Sequence, residues 1–255
     1  MIPTDRTITT AAAEVAEELA AAGAAAVCLV GSHATGAATP TSDVDIAVVG
    51  LGPEYRLELR DHLLFSIGWA PEDVQRRRLY DPDWLATHVV GWRRAVVLHD
   101  PVGIAESIRR EAANWSWALV SDRCDVWVAE QVAGLAEEVR KLVSSLTSHN
   151  WLEATVQRSA LARQLSMILA IHRRLLYGSE NAVWQLIGDD LGSDWREAQK
   201  AALWVGDSDF KQACEASLSL FALSAREVES LMDERQRAVT ASAVRAISAT
   251  RRKTD

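Results

Sequence analysis

Two aspartates placed one residue apart in a β-type run are the feature that most constrains this chain. Asp43-Val44-Asp45-Ile46-Ala47-Val48-Val49 is rich in β-branched residues and stops at Gly50. Side chains alternate along a strand, so Asp43 and Asp45 share one face about 6–7 Å apart, while Val44 and Ile46 turn toward a core. Such a pair repels itself unless a cation neutralises it, and Mg²⁺ favours a few carboxylates completed by phosphate oxygens and water. Ten residues separate Asp43 from Gly31-Ser32, which ends an earlier apolar run, Ala24 to Val30. Gly31 allows close backbone approach, and Ser32 can offer its hydroxyl or an N–H at a following helix start to a phosphate. Either element alone is commonly a turn or a solvated pair. Together, each beside its own apolar strand, they describe one phosphate–metal site.

In this combination the residues resemble the DNA polymerase β-like nucleotidyltransferase superfamily, whose signature is a Gly-Ser after the first strand, about ten residues, and a strand-borne Asp-x-Asp. The resemblance covers roughly residues 24–100 and implies nucleotidyl transfer. By that analogy Asp43 and Asp45 hold one or two Mg²⁺ ions, and Gly31 and Ser32 grip the β/γ-phosphates of a nucleotide, with ATP expected as the donor. A hydroxyl would attack the α-phosphorus and pyrophosphate would leave. The family's third carboxylate lies on the next strand, and Asp73, in the stretch Asp73 to Tyr80, is its candidate here, with Glu72, Asp81 and Asp83 as competitors. Alternation through that stretch gives no cleanly apolar face, so a capping or solvated role for Asp73 stands beside the metal role.

The remaining pattern predicts an α+β fold. A capped helix runs from Thr9–Thr10 to Ala22 and ends at Gly23. Pro53 to Ile67 is expected as a proline-started helix carrying Leu57, Leu59, Leu63 and Leu64. A short helix near Asp83 to Val90 and a strand over Ala95 to His99 follow. Beyond residue 120 the signal is helical, with helices expected over Asp122 to Thr147, Trp151 to Tyr177, Ser193 to Val205 and Ser224 to Ala249. The organisation is thus a small nucleotidyltransferase-type mixed sheet with helices over 1–115 and a helical bundle over 116–255.

That layout looks like the antibiotic nucleotidyltransferases acting on aminoglycosides, in which the helical domain closes the cleft and supplies a carboxylate general base. The resemblance points to Glu153 for that role, with Glu180 second. An acidic residue in a helix's first turn also serves the macrodipole, so a capping role is the competing assignment. Trp151, Trp184, Trp195 and Trp204 are expected mainly as helix packing.

Composition narrows the partners. The chain has 255 residues, 27 basic and 35 acidic, for a net charge of -8. Such a balance disfavours a phosphate-binding basic face and hence nucleic acid, and suits a small cationic acceptor. No apolar stretch approaches a membrane span, and Cys28, Cys124 and Cys214 show no disulfide or zinc spacing, so a cytoplasmic protein is expected. The resulting expectation is an Mg²⁺-dependent transfer of AMP from ATP to a hydroxyl of a small acceptor such as an aminoglycoside. A protein-modifying, antitoxin-like adenylyltransferase and a catalytically silent nucleotide-binding module are the alternatives. Oligomeric state is not legible.

Overall fold

The computed structural model describes residues 5–206 and 209–251. It divides into two compact units, Met1–Leu119 with Leu176–Glu180, and Val120–Leu175 with Asn181–Asp255.

The first unit opens with α1 (Asp5–Ala21), closed by Gly23 at a left-handed φ of 96°, followed by β1 (Ala26–Val30), the one-turn α2 (Gly31–Thr35) and β2 (Val44–Val49). Then come β3 (Tyr55–Arg60), β4 (Leu63–Ala70), α3 (Glu72–Arg78), α4 (Leu85–Arg94), β5 (Val96–His99) and α5 (Ile104–Asn114). The five strands form a mixed sheet in the order β3-β4-β2-β1-β5, with β2 and β4 parallel and the other neighbours antiparallel. Alternation sorts the sheet into two faces. Val27, Leu29, Val44, Ile46, Val48, Phe65, Ile67 and Trp69 pack with Ala12, Val15, Ala16 and Leu19 of α1 in one buried cluster. The opposite face carries Asp45, Ser66 and Leu57, which lie opposite one another across β2, β4 and β3.

Two expectations for this unit need correction. Residues 53–67 are not a helix but the β3–β4 hairpin. Tyr55-Arg56-Leu57-Glu58-Leu59-Arg60 alternates apolar and charged with a period of two. Asp61 and His62, at φ 46° and 71°, form the two-residue turn of the I′ type that matches strand twist. Nor do residues 73–80 form a strand, because Glu72–Arg78 is α3. Pro71 precedes it, Glu72 and Asp73 occupy its first turn and Arg76 to Arg78 its last, the charge order a helix dipole favours. Glu72–Arg76 at 2.8 Å and Asp73–Arg77 at 3.7 Å add i,i+4 ion pairs.

The second unit is helical: α6 (Ser121–Gly134), α7 (Ala136–Thr147), α8 (Trp151–His172), α9 (Glu180–Leu191, whose first residue belongs to the first unit), α10 (Ser193–Ala202), α11 (Phe210–Glu227) and α12 (Glu234–Arg251). Single helices expected over 122–147 and 224–249 are each interrupted. The first breaks at Leu135, between α6 and α7. The second gives way to two helices, each started by an Asp-x-x-Gln capping box, at Asp209–Gln212 and Asp233–Gln236. Leu161, Leu165 and Leu169 of α8 and Phe221 of α11 are fully buried, and Trp195 of α10 nearly so. Trp151 and Trp204, by contrast, are about half exposed and both stand edge-on or tilted against Phe210. No helix among the described residues is long and apolar enough to cross a membrane.

Candidate active site

The site is built where β1 ends and β2 begins. β1 runs directly into Gly31, which starts α2 at φ 67°, a conformation that costs glycine little and other residues more. A Cβ there would lie 2.0 Å from Oδ2 of Asp45, so the glycine is required for a second reason: the Asp45 carboxylate occupies the space a side chain would take. Gly31 and Asp45 are therefore in contact. Ser32 follows in the first turn of α2, its carbonyl accepting from Thr35 Oγ1 at 3.0 Å and from the Ala37 N–H. Asp43 immediately precedes β2, one residue short of the expected strand, and Asp45 lies within it.

Electrostatics set these two carboxylates apart from the others. Burial, then repulsion from Asp43, push the Asp45 carboxyl up to about 6, with a hydrogen bond from Ser66 opposing the shift. Neither aspartate has an ion-pair partner among the described residues, although seventeen such pairs occur elsewhere among them. Two half-buried carboxylates that repel each other, with no ion-pair partner among the described residues, form a donor set suited to a hard divalent ion.

Asp73 is not brought to them. Its side chain is 75% exposed and paired with Arg77, and among the described residues no three His, Cys, Asp or Glu side chains gather to hold a metal. The competing acids are also engaged locally. Glu72 pairs with Arg76, and Asp81 accepts the Asp83 N–H at 3.1 Å.

On β4, the strand beside β2, the residue opposite Asp45 is Ser66. Its Oγ also lies 3.2 Å from Tyr55 Oη on β3. One hydroxyl proton serves one acceptor at a time, and an ionised Asp45 is the stronger acceptor. Ser66 and Tyr55 went unnoticed in the sequence because the hairpin was taken for a helix; the period-two alternation from Tyr55 to Arg60 is the signal that locates them.

Glu153 lies in the second unit at the start of α8. Asn150 Nδ2 donates to its Oε2 at 3.0 Å, and its own N–H donates to Asn150 Oδ1 at 3.4 Å. This is a reciprocal cap of the helix N-terminus. Glu180 is exposed at the first position of α9.

Residues 12–116 match the family described as nucleotidyltransferase domain. In fold the chain is similar to a nucleotidyltransferase-like protein from Exiguobacterium sibiricum 255-15, with 14% identity over 87% of this chain and 75% of that one and a TM-score of 0.53. No curated protein matches. The match over 12–116 spans the segment in which Gly31 meets Asp45, so the contact lies inside the stretch that is similar to nucleotidyltransferase domains.

Proposed function

We propose that the chain transfers AMP from ATP, with Mg²⁺, to a hydroxyl of a small cationic acceptor of the aminoglycoside kind. The observation that carries this reading is Asp45, held against Gly31 and repelled by Asp43, with no ion-pair partner for either aspartate among the described residues. Asp43 and Asp45 would hold the metal, whose role when bound is to neutralise the triphosphate and stabilise charge on the transferring phosphoryl group. Ser32, following Gly31, donates its hydroxyl to a phosphate oxygen. Ser66 steadies Asp45 in its ionised form. The net charge of -8 supports a cationic acceptor by attraction. Glu153 is assigned as general base, with Glu153→Gln as its test: glutamine keeps the helix cap, so a fall in kcat at unchanged stability supports the role.

The direct experiment supplies protein, Mg²⁺ and labelled ATP with a panel of aminoglycosides, alongside Asp43→Asn. Transfer of label to a panel member, lost in Asp43→Asn, is expected. Label on a protein band would move the acceptor to a macromolecule.

One observation favours a second reading. Ser66, a neutral residue, stands beside Asp45 where a third carboxylate on the neighbouring strand would complete the metal site. ATP and Mg²⁺ bound without transfer to any acceptor would make the domain a nucleotide-binding module.

A further inference from the structure

β3 is an edge strand: among the described residues it pairs with β4 alone, and its outer side is open. The Trp69 N–H donates to the Glu54 carbonyl at 3.0 Å, so Glu54 and, by alternation, Arg56, Glu58 and Arg60 turn their backbone groups toward β4. Tyr55, Leu57 and Leu59 consequently present their N–H and C=O groups to the open side. Their side chains are 59%, 55% and 74% exposed and lie on one face, an apolar row at a free edge of the kind other proteins interrupt with lysine, proline or a bulge.

We propose that the occupant of this edge is a second copy of the chain, joined antiparallel through β3 about a two-fold axis at Leu57. Outward-facing backbone groups must meet outward-facing ones, which leaves only registers that oppose odd-numbered residues. With Leu57 opposite Leu57 of the second copy, Arg56 faces Glu58, Glu58 faces Arg56, Glu54 faces Arg60, and Tyr55 faces Leu59. Every charged position then meets its opposite, and the apolar row continues across the axis. Sliding by one step to oppose Leu57 with Tyr55 sets Arg56 against Arg56 and Glu58 against Glu54. Sliding the other way, to oppose Leu57 with Leu59, sets Glu58 against Glu58 and Arg56 against Arg60. Like charges directly opposite are unfavourable, so the charge order selects one register. Tyr55, at the rim of the joint, is the residue that reaches Ser66 beside Asp45, so pairing would border the catalytic face of each copy.

Sedimentation velocity over a micromolar dilution series tests this with three proteins. The wild type is expected to form a dimer. Arg56→Glu and Glu58→Arg each set like charges opposite one another twice per dimer, and each is expected to weaken association roughly tenfold or more. Mixed in equal amounts, these two variants have opposite charges at every crossed position, so a heterodimer at least as tight as the wild-type dimer is expected. Circular dichroism confirms that each variant folds. A wild type that stays monomeric throughout the series overturns the proposal. So does a dimer that Arg56→Glu leaves intact, or a mixture that fails to associate, because either result removes β3 from the interface.

Discussion

Asp43 and Asp45 in the first unit stand side by side with no protein cation among the described residues, whereas in the second unit acids are answered locally. There Arg173 joins Asp190 at 2.6 Å and Glu227 at 2.9 Å, and Arg174 reaches Asp125 at 2.6 Å. Both regions are only partly exposed, so the difference is not one of solvent access. Pairing inside the protein satisfies a charge once and for all, while an unpaired Asp45, raised to about 6 by burial and then by Asp43, keeps the site for a ligand's charge. The helical unit uses its ions to fasten helices together, and the sheet unit keeps two of its acids available.

Removing one of the reserved acids should break this contrast most severely. Asp45→Asn is expected to lower nucleotidyl transfer by roughly a thousandfold or more. The same change should leave the metal-free protein as stable as before, or more so, because it removes the repulsion from Asp43. Label transfer and thermal melting, measured on one preparation, check both halves of this expectation.

Gly31→Ala attacks the same site through its backbone. It combines a left-handed φ with a Cβ placed on the Asp45 carboxylate, so a loss of about 3 kcal/mol in urea unfolding is expected, together with weakened nucleotide binding in calorimetry.

A third test asks whether a buried ionisable group in the sheet unit is held uncharged where no opposite charge pairs with it. His88 of α4 has Nε2 2.9 Å from the Gln75 carbonyl and 3.1 Å from Trp92 Nε1, and burial lowers the imidazole to about 4, with the Gln75 carbonyl opposing the shift and Arg78 adding to it. The unfolded chain keeps an ordinary histidine near 6.5 and therefore binds the proton first as the pH falls. Stability should thus be full above pH 6.5 and be lost from there down to about 4, at up to about 1.4 kcal/mol per pH unit. Unfolding at pH 7 and pH 5 in wild type and His88→Gln measures this, with a flatter profile expected in the variant.

The smallest effect belongs to the helical unit. Arg173→Ala breaks a partly exposed ionic junction and should cost below about 1 kcal/mol without altering nucleotide affinity. A large change in affinity would mean that the second unit's charges are not confined to fastening helices.

How far the sequence spoke for itself differs from segment to segment. β1, the turn at Gly31 and β2 were legible because the requirement was local: an apolar run, a residue free to take positive φ, and carboxylates alternating with valine and isoleucine. The hairpin was misread because Leu57, Leu59, Leu63 and Leu64 also fit a helical face, and only the charged residues between them showed the period of two. Asp73 was misplaced although Pro71, the acidic first turn and the three arginines of α3 were all in view.

The sequence by itself determined that an apolar strand with Asp45 between Val44 and Ile46 would follow a Gly-Ser turn, because a strand's alternation follows from its backbone alone. Which residue stands beside Asp45 was decided only by tertiary structure. Ser66 is twenty-one positions away in the chain and becomes a neighbour through the parallel register of β2 and β4, which no local pattern encodes. The same holds for the contact of Gly31 with Asp45 and for the open edge of β3: each depends on which strands lie next to one another, and that order is set by how the whole sheet packs onto α1.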